Sequence, residues 1–385
     1  MPIPAPPQAD LTPDDVRRYA RHLLLPQVGR EGQQRLKSAS VLVVGAGGLG
    51  SPASLYLAAA GIGRLGLVDG DTVDESNLQR QVLYATAEVG EQKVIAAKRR
   101  LQALNPHVHI DAYPHRLTAE NAWDLIAQYD LIVDGTDNFA ARYLINDTAV
   151  LQNKPFVYGS IAQFDGQVSV FYAAEGPCYR CIFPKAPQNA PNCANAGVLG
   201  ALPGVIGTLE ATEALKLILG IGKPLVGQLL LYDALSMRFD VIRLRKNPKC
   251  PVCGEHPEIT SIEPGYETEA CTQDKTLVLP PDAEMPPDVL AERLNSPEPP
   301  LVLDVRTPQE FALGHLPGAR NLPIDRLASH LHTLPRETDI VAVCRRGRRS
   351  AQAVLQMRNA GLTRAFRLRG GLQAWRDTIA PDFPI

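Results

Sequence analysis

From Ser40 onward, short unbroken apolar runs alternate with stretches whose apolar residues recur at helical spacing. "SVLVVG" predicts a buried strand, followed by a glycine turn and the alanine-rich helix "SPASLYLAAAG". "RLGLVD" predicts a second strand, "EQKVIAAKRRLQAL" an amphipathic helix, and "YDLIVDGT" a later strand. This succession predicts an α/β fold with a doubly wound, mainly parallel sheet. "GQVSVFY" and "GQLLLYDA" add strands on either side of the helix "GVIGTLEATEALKLILG". The periodicity then stops, and from about Pro248 to Pro300 the chain is rich in Pro and Glu, as a linker is. A smaller α/β unit follows, with strands "PLVLDV" and "DIVAVC" and helices after Thr307 and from Ser350. No internal repeat is present. A length of 385 residues suits two domains, here placed at 1–257 and 277–385 with 258–276 between them.

Composition narrows the class. With 45% hydrophobic and 21% charged residues, the chain reads as a soluble globular protein. The net charge of −2 hides an asymmetry: residues 301–385 hold 13 Arg, no Lys and 7 acidic residues, so they carry +6 and the remainder −8. Such different halves suggest different partners. "MPIPAPPQADLTPDD" has no basic stretch followed by an apolar run, so no signal peptide is expected. No apolar stretch is long enough to predict a membrane span. Seven cysteines, an odd number, point to a reducing cytoplasm and to metal ligation or catalysis rather than disulfides.

"VVGAGGLGS" sets Gly45, Gly47, Gly48 and Gly50 between a strand and a helix. Glycines let the backbone approach a phosphate, and the helix N-terminus supplies oriented N–H groups. Asp69 ends the next strand, near the spacing of a ribose-binding carboxylate. On its own this fingerprint also fits a nicotinamide or flavin oxidoreductase. "DGDTVDESNLQRQ" adds Asn77 and Arg80, and Lys93 opens the next helix. A dehydrogenase has no need of those cations beyond its pyrophosphate loop. A triphosphate under attack does, because charge on the transferring group and the leaving pyrophosphate must be stabilised. Asp137, in "DGTDN", is placed to hold Mg²⁺, which prefers carboxylate oxygen and substrate phosphates.

From about Leu11 to Pro257 the chain resembles the E1-like adenylyltransferases of the molybdopterin-synthase and thiamin sulfur-carrier activating type. The match runs through "RYARHLLLPQVGREGQQRL", "GAGGLGS", "DESNLQRQ", "DGTDN", "CYRCIFP" and "AGVLGALPGVIGTLEATEALKLI". The resemblance implies ATP-dependent adenylation of the C-terminal glycine of a ubiquitin-like sulfur carrier. It implies that Asp69 binds the ribose, that Asn77, Arg80 and Lys93 surround the phosphates, and that Asp137 binds Mg²⁺. Arg21 matches an arginine that reaches the ATP of a partner subunit, which implies a homodimer. His22 stands where the family often has Gln.

"CYRC" and "CPVC" pair Cys178 with Cys181 and Cys250 with Cys253, two C-x₂-C turns suited to tetrahedral zinc with no open position. The metal would be structural, fastening the end of the first domain to its middle. Cys193 lies in "NCANAGVLG"; the resemblance implies a thioester or a disulfide with the carrier there, and an ordinary loop cysteine is the alternative. Cys271 has no evident partner.

"VAVCRRGRRSAQA" sets Cys344 before Arg345, Arg346, Arg348 and Arg349, and neighbouring cations favour a thiolate. A nucleic-acid patch would interleave aromatics for stacking, and none is present. A phosphatase loop would put Arg six residues after the cysteine, where Ser350 stands. A loop curling its N–H groups around a persulfide fits. With "LVLDVRTPQEFALGHLPGARNLPI" and "LRGGLQAW", residues from about Leu277 to Ile385 resemble the rhodanese family. The resemblance implies sulfane sulfur on Cys344, with Asp304, Arg306, Glu310 and His315 shaping the fold. Arg345 and Arg349 would bind a sulfur donor, either thiosulfate or the persulfide of a donor protein. The joined halves predict carrier adenylation followed by thiocarboxylate formation. The alternative is a modifier-activating enzyme acting through Cys193, with the second domain used for docking.

Overall fold

The computed structural model describes residues 9–185, 197–266 and 279–384. The chain divides into two compact units, Met1–Thr272 and Gln273–Ile385.

The first unit opens with three helices, α1 (Pro13–Arg18), α2 (Ala20–Leu23) and α3 (Gly29–Ser38). An α/β succession follows: β1 (Ser40–Val44), α4 (Gly50–Ala60), β2 (Arg64–Val68), α5 (Lys93–Leu104), β3 (His109–Tyr113), α6 (Ala119–Ala127), β4 (Leu131–Asp134) and α7 (Phe139–Leu151). The unit is completed by β5 (Phe156–Ala162), β6 (Asp165–Phe171), α8 (Tyr179–Ile182), α9 (Leu202–Leu219), β7 (Gln228–Asp233) and β8 (Arg238–Arg243). The eight strands form one sheet in the order β3-β2-β1-β4-β5-β6-β7-β8. Pairing is parallel from β3 to β5 and antiparallel from β5 to β8. Val41 to Val44 of β1 are all buried, as a central strand covered on both faces requires. The order reverses between β1 and β4, so the ends of these strands open a crevice at the topological switch point.

The second unit has a five-stranded sheet of order β11-β10-β12-β13-β9, all parallel. Its elements are β9 (Glu284–Met285), α10 (Pro287–Leu294), β10 (Leu301–Asp304), α11 (Pro308–Leu313), β11 (Arg320–Asn321), α12 (Ile324–His330), β12 (Ile340–Val343), α13 (Arg348–Asn359), β13 (Ala365–Leu368) and α14 (Gly371–Thr378). Thr307 and Glu310 form a reciprocal capping box that starts α11 where the sequence places it. The stretch read as linker is partly structured. Cys250 and Cys253 sit in hydrogen-bonded turns, and α10 falls before Pro300. No described helix is long and apolar enough to cross a membrane.

Candidate functional site

At the carboxyl end of β1 the chain turns at Gly45, whose φ is +90°. A Cβ there would stand 2.6 Å from the Gly135 carbonyl oxygen, and one on Gly50 would stand 1.8 Å from that of Gly45. Only glycine permits this turn to sit against the Gly135 turn after β4. Gly47 and Gly48 complete the loop that leads into α4. Asp69, after β2, accepts the Ala46 N–H at 2.9 Å and the Asp71 N–H at 2.8 Å, so the carboxylate is locked beside the loop. Burial pushes the Asp69 carboxyl above its usual range, against the pull of Lys93. The Tyr84 hydroxyl donates to the Ala46 carbonyl at 2.7 Å and docks the 75–84 segment onto the same loop.

Asn77 and Arg80 are half-buried in that segment, and Arg80 Nη1 donates to the Ser76 carbonyl at 3.1 Å. Lys93 starts α5, is 5% exposed, and pairs with Asp71 at 3.4 Å. Asp137 lies exposed in the turn between β4 and α7. That turn is held from below by a charged cluster the sequence did not reveal. Asp134 accepts the Thr136 N–H at 3.0 Å and hydroxyl at 2.6 Å, and Arg142 Nε at 3.3 Å. Arg142 Nη2 also donates to the Thr136 carbonyl at 3.0 Å. Glu210 of α9 is fully buried against Gly159, and neither carboxyl oxygen has a hydrogen-bond partner among the described residues. Burial, then the nearby Asp134, pushes Glu210 well above the usual carboxylate range.

Arg21 is exposed on α2, with no hydrogen bond or ion pair among the described residues. The neighbouring His22 is 3.0 Å from Gln33 Oε1, and Gln33 Nε2 donates to the Ala60 carbonyl at 2.9 Å. Cys193 and Cys271 lie outside the described residues.

Cys178, Cys181, Cys250 and Cys253 converge, with all four sulfurs within 4.8 Å of one another. The closer Sγ pairs are 3.4, 3.4, 3.5 and 3.9 Å apart. A tetrahedron with zinc–sulfur bonds of about 2.3 Å has edges of about 3.8 Å, so the set fits zinc. The Asn247 N–H also points at Cys181 Sγ, at 3.4 Å. Arg180, between the first two cysteines, is bound to the buried Asp147 of α7 through Nε at 2.8 Å and Nη2 at 2.8 Å.

In the second unit, Cys344 follows β12 and is 2% exposed. Its Sγ accepts the Ser350 N–H at 3.3 Å and lies 3.5 Å from the Ser350 hydroxyl. α13 begins at Arg348, two residues before the expected start, because Gly347 caps it at φ +87°. The sulfur therefore faces the first turn of a twelve-residue helix, whose N–H groups and dipole complement negative charge. Leu372 and Gln373 N–H, from the start of α14, donate to the Cys344 and Arg345 carbonyls, each at 2.9 Å. A Cβ on Gly371 would stand 2.5 Å from the Cys344 carbonyl oxygen, which is why "RGGLQAW" supplies glycine there.

The two arginines assigned to a sulfur donor part company. Arg349 makes a bidentate pair with Glu310, Nη1 to Oε2 at 2.7 Å and Nη2 to Oε1 at 2.6 Å. Arg345 Nε is buried with no hydrogen-bond partner among the described residues. Burial alone would raise the Glu310 carboxyl, but the bonds and charge of Arg349 together with the bonds from Thr307 outweigh it and bring it down to about 2. A lowered folded pKa stabilises above the unfolded value and loses that contribution as pH falls through the folded one. Glu310→Gln is therefore expected to destabilise the protein at neutral pH. The gap to wild type should close between about pH 4.5 and 2, as followed by urea unfolding at a series of pH values. Asp304 and Arg306 are a buried pair, Nη2 to Oδ2 at 2.7 Å, whereas His315 is exposed.

The ThiF family pattern matches residues 19–252, and the rhodanese-like domain pattern matches residues 286–378. The chain belongs to the ThiF family. Its ThiF unit is followed by a rhodanese domain. The chain is 43% identical over 384 residues to the probable adenylyltransferase/sulfurtransferase MoeZ of Mycobacterium tuberculosis, covering 98% of this chain and 96% of that one. It is 42% identical to the adenylyltransferase and sulfurtransferase MOCS3-1 of Zea mays, covering 98% and 85%. The ThiF unit is 59% identical over 253 residues to a sulfur carrier protein adenylyltransferase of Thermus thermophilus, covering 64% of this chain and 93% of that protein. Among solved structures, PaaA superposes with a TM-score of 0.54 at 26% identity, over 62% of this chain and 76% of that one. MccB of E. coli with ATP superposes at 0.53 and 20% identity, over 64% and 82%, and shares the fold. The chain is an enzyme of both kinds, an adenylyltransferase in its ThiF unit and a sulfurtransferase in its rhodanese unit.

Proposed function

We propose that this protein adenylates the C-terminal glycine of a ubiquitin-like sulfur carrier and converts that end to a thiocarboxylate with sulfur carried on Cys344. The observation that carries the reading is the presence, in one chain, of a glycine loop fixed beside Asp69, Arg80 and Lys93 and of a cysteine facing a helix N-terminus. A carrier carboxylate oxygen attacks the α-phosphorus of ATP, and pyrophosphate leaves with its charge met by Arg80 and Lys93. Asn77 is assigned to the phosphates and Asp69 to the ribose. Asp137 would hold Mg²⁺, which neutralises phosphate charge when bound. The terminal sulfur of a Cys344 persulfide then attacks the acyl carbon, and AMP departs. The acyl disulfide so formed is opened by a second thiol, Cys193 or another, which releases the thiocarboxylate. A thiol reductant returns the resulting disulfide to two thiols.

With Arg349 occupied by Glu310, Arg345 is the cation assigned to an anionic donor, thiosulfate or a protein persulfide. Arg21 is assigned to the ATP of a second copy in a homodimer, which its exposure on α2 allows. The four cysteines are assigned to structural zinc, so Cys250→Ser is expected to purify with its zinc lost; undiminished zinc by elemental analysis would refute the site. The adenylation step is tested by exchange of labelled pyrophosphate into ATP. Exchange should require a carrier ending in Gly-Gly and vanish when its last glycine is removed. Exchange that ignores the carrier's end would contradict the assignment.

A further inference from the structure

Gln81 follows Arg80 and has been given no part so far. Its backbone is fixed on both sides: its N–H donates to the Asn77 carbonyl at 2.9 Å, and its carbonyl accepts the Tyr84 N–H at 3.2 Å. The side chain is 4% exposed and lies against the glycine loop. Its amide nitrogen is the nearest atom to the position a Cβ would take on Gly47, 3.5 Å away. At Gly48 the neighbours of that position are Pro203, at 3.3 Å, and Arg80 Cδ, at 3.7 Å. Arg80 and Gln81 thus flank two consecutive glycines of the loop.

The other end of the same amide is the informative one. Gln81 Oε1 is buried and has no hydrogen-bond partner among the described residues. Native folds pair nearly all such atoms, and an unpaired one calls for a reason. If Gln81 served packing alone, leucine or methionine would fill the space without sinking an unpaired acceptor. The amide is explained when its nitrogen is needed on the loop side, where the bare Cα of Gly47 lets a ligand come close.

We infer that Gln81 is a nucleotide-binding residue, its amide N–H₂ donating to a phosphate oxygen of the nucleotide held over Gly47. Unlike Arg80 and Lys93 it adds no charge, so it contributes direction rather than attraction: a donor at a fixed place beside the loop. The assignment rests on the adenylation reading above.

The test uses the full-length protein with Gln81→Met and Gln81→Glu. Calorimetric titration gives the affinity for a non-hydrolysable ATP analogue with Mg²⁺, and thermal unfolding without nucleotide gives stability. Replacing an unpaired buried amide by an apolar side chain of similar shape is neutral or stabilising. Gln81→Met is therefore expected to unfold at or above the wild-type temperature while binding the analogue about tenfold more weakly. Gln81→Glu sets a carboxylate against the phosphates, and affinity should fall about a hundredfold at pH 8. Part of that loss should return at pH 5.5 as the carboxylate takes up a proton. If Gln81→Glu fails to fold, the methionine variant carries the test alone. Wild-type affinity in Gln81→Met, or a lowered unfolding temperature with affinity unchanged, overturns the assignment. A wild-type protein that binds no analogue overturns the adenylation reading and the role of Gln81 together.

Discussion

Replacing Cys344 with alanine is expected to abolish thiocarboxylate formation while ATP–pyrophosphate exchange continues at the wild-type rate. The residues proposed for adenylation, namely the glycine loop, Asp69, Arg80 and Lys93, all lie within Met1–Thr272, so exchange should need only the first unit. Cys344 lies in the second, where its sulfur is the atom facing the start of α13. Alanine keeps the small buried volume and the 344–349 loop, whose carbonyls remain anchored by Leu372 and Gln373. What is lost is the sulfur proposed to take up and deliver sulfane sulfur. Exchange and carrier mass, followed on one preparation with thiosulfate as the only sulfur source, separate the two effects. Loss of both activities would contradict this division of labour.

Asp137→Ala gives the converse pattern. Exchange is expected to fall at least a hundredfold, because the proposed Mg²⁺ ligand is removed and with it the ion's neutralisation of charge on the phosphates. Sulfur loading of Cys344 from thiosulfate is expected to be unchanged, as read by intact mass of the protein. The substitution is structurally mild because Asp137 is exposed and the turn beneath it is held by Asp134, Thr136 and Arg142. An unloaded Cys344 in this variant would count against independent units.

Much of the architecture was legible because strands buried on both faces write themselves as unbroken apolar runs. "SVLVVG", "RLGLVD" and "YDLIVDGT" became β1, β2 and β4, and "DIVAVC" delivered Cys344 at the end of β12. β8 gave no such signal: every residue of it is exposed at the sheet edge, and no buried face imposed a pattern. α13 starts two residues before Ser350 because Gly347 caps it at Arg348, which leaves Ser350 buried inside the helix and turned towards Cys344. Glycine spacing and paired cysteines are local constraints, so they show in sequence. Long-range pairing does not. Arg349 stood among four arginines with nothing to mark it as the partner of Glu310, 39 positions away. Glu210 and Arg142 sit in helical stretches where a charged residue ordinarily faces water, and only the fold shows them buried beneath the Asp137 turn. Gln81 was hidden for the same reason, as one more polar residue in "DESNLQRQ".

The most direct test of the account is the mass of the carrier. A carrier ending in Gly-Gly is incubated with this protein, Mg-ATP, thiosulfate and a thiol reductant, and its intact mass is measured. The account predicts replacement of one carboxylate oxygen by sulfur, dependent on ATP. A carrier that instead becomes linked to protein lysines and never gains sulfur would contradict it.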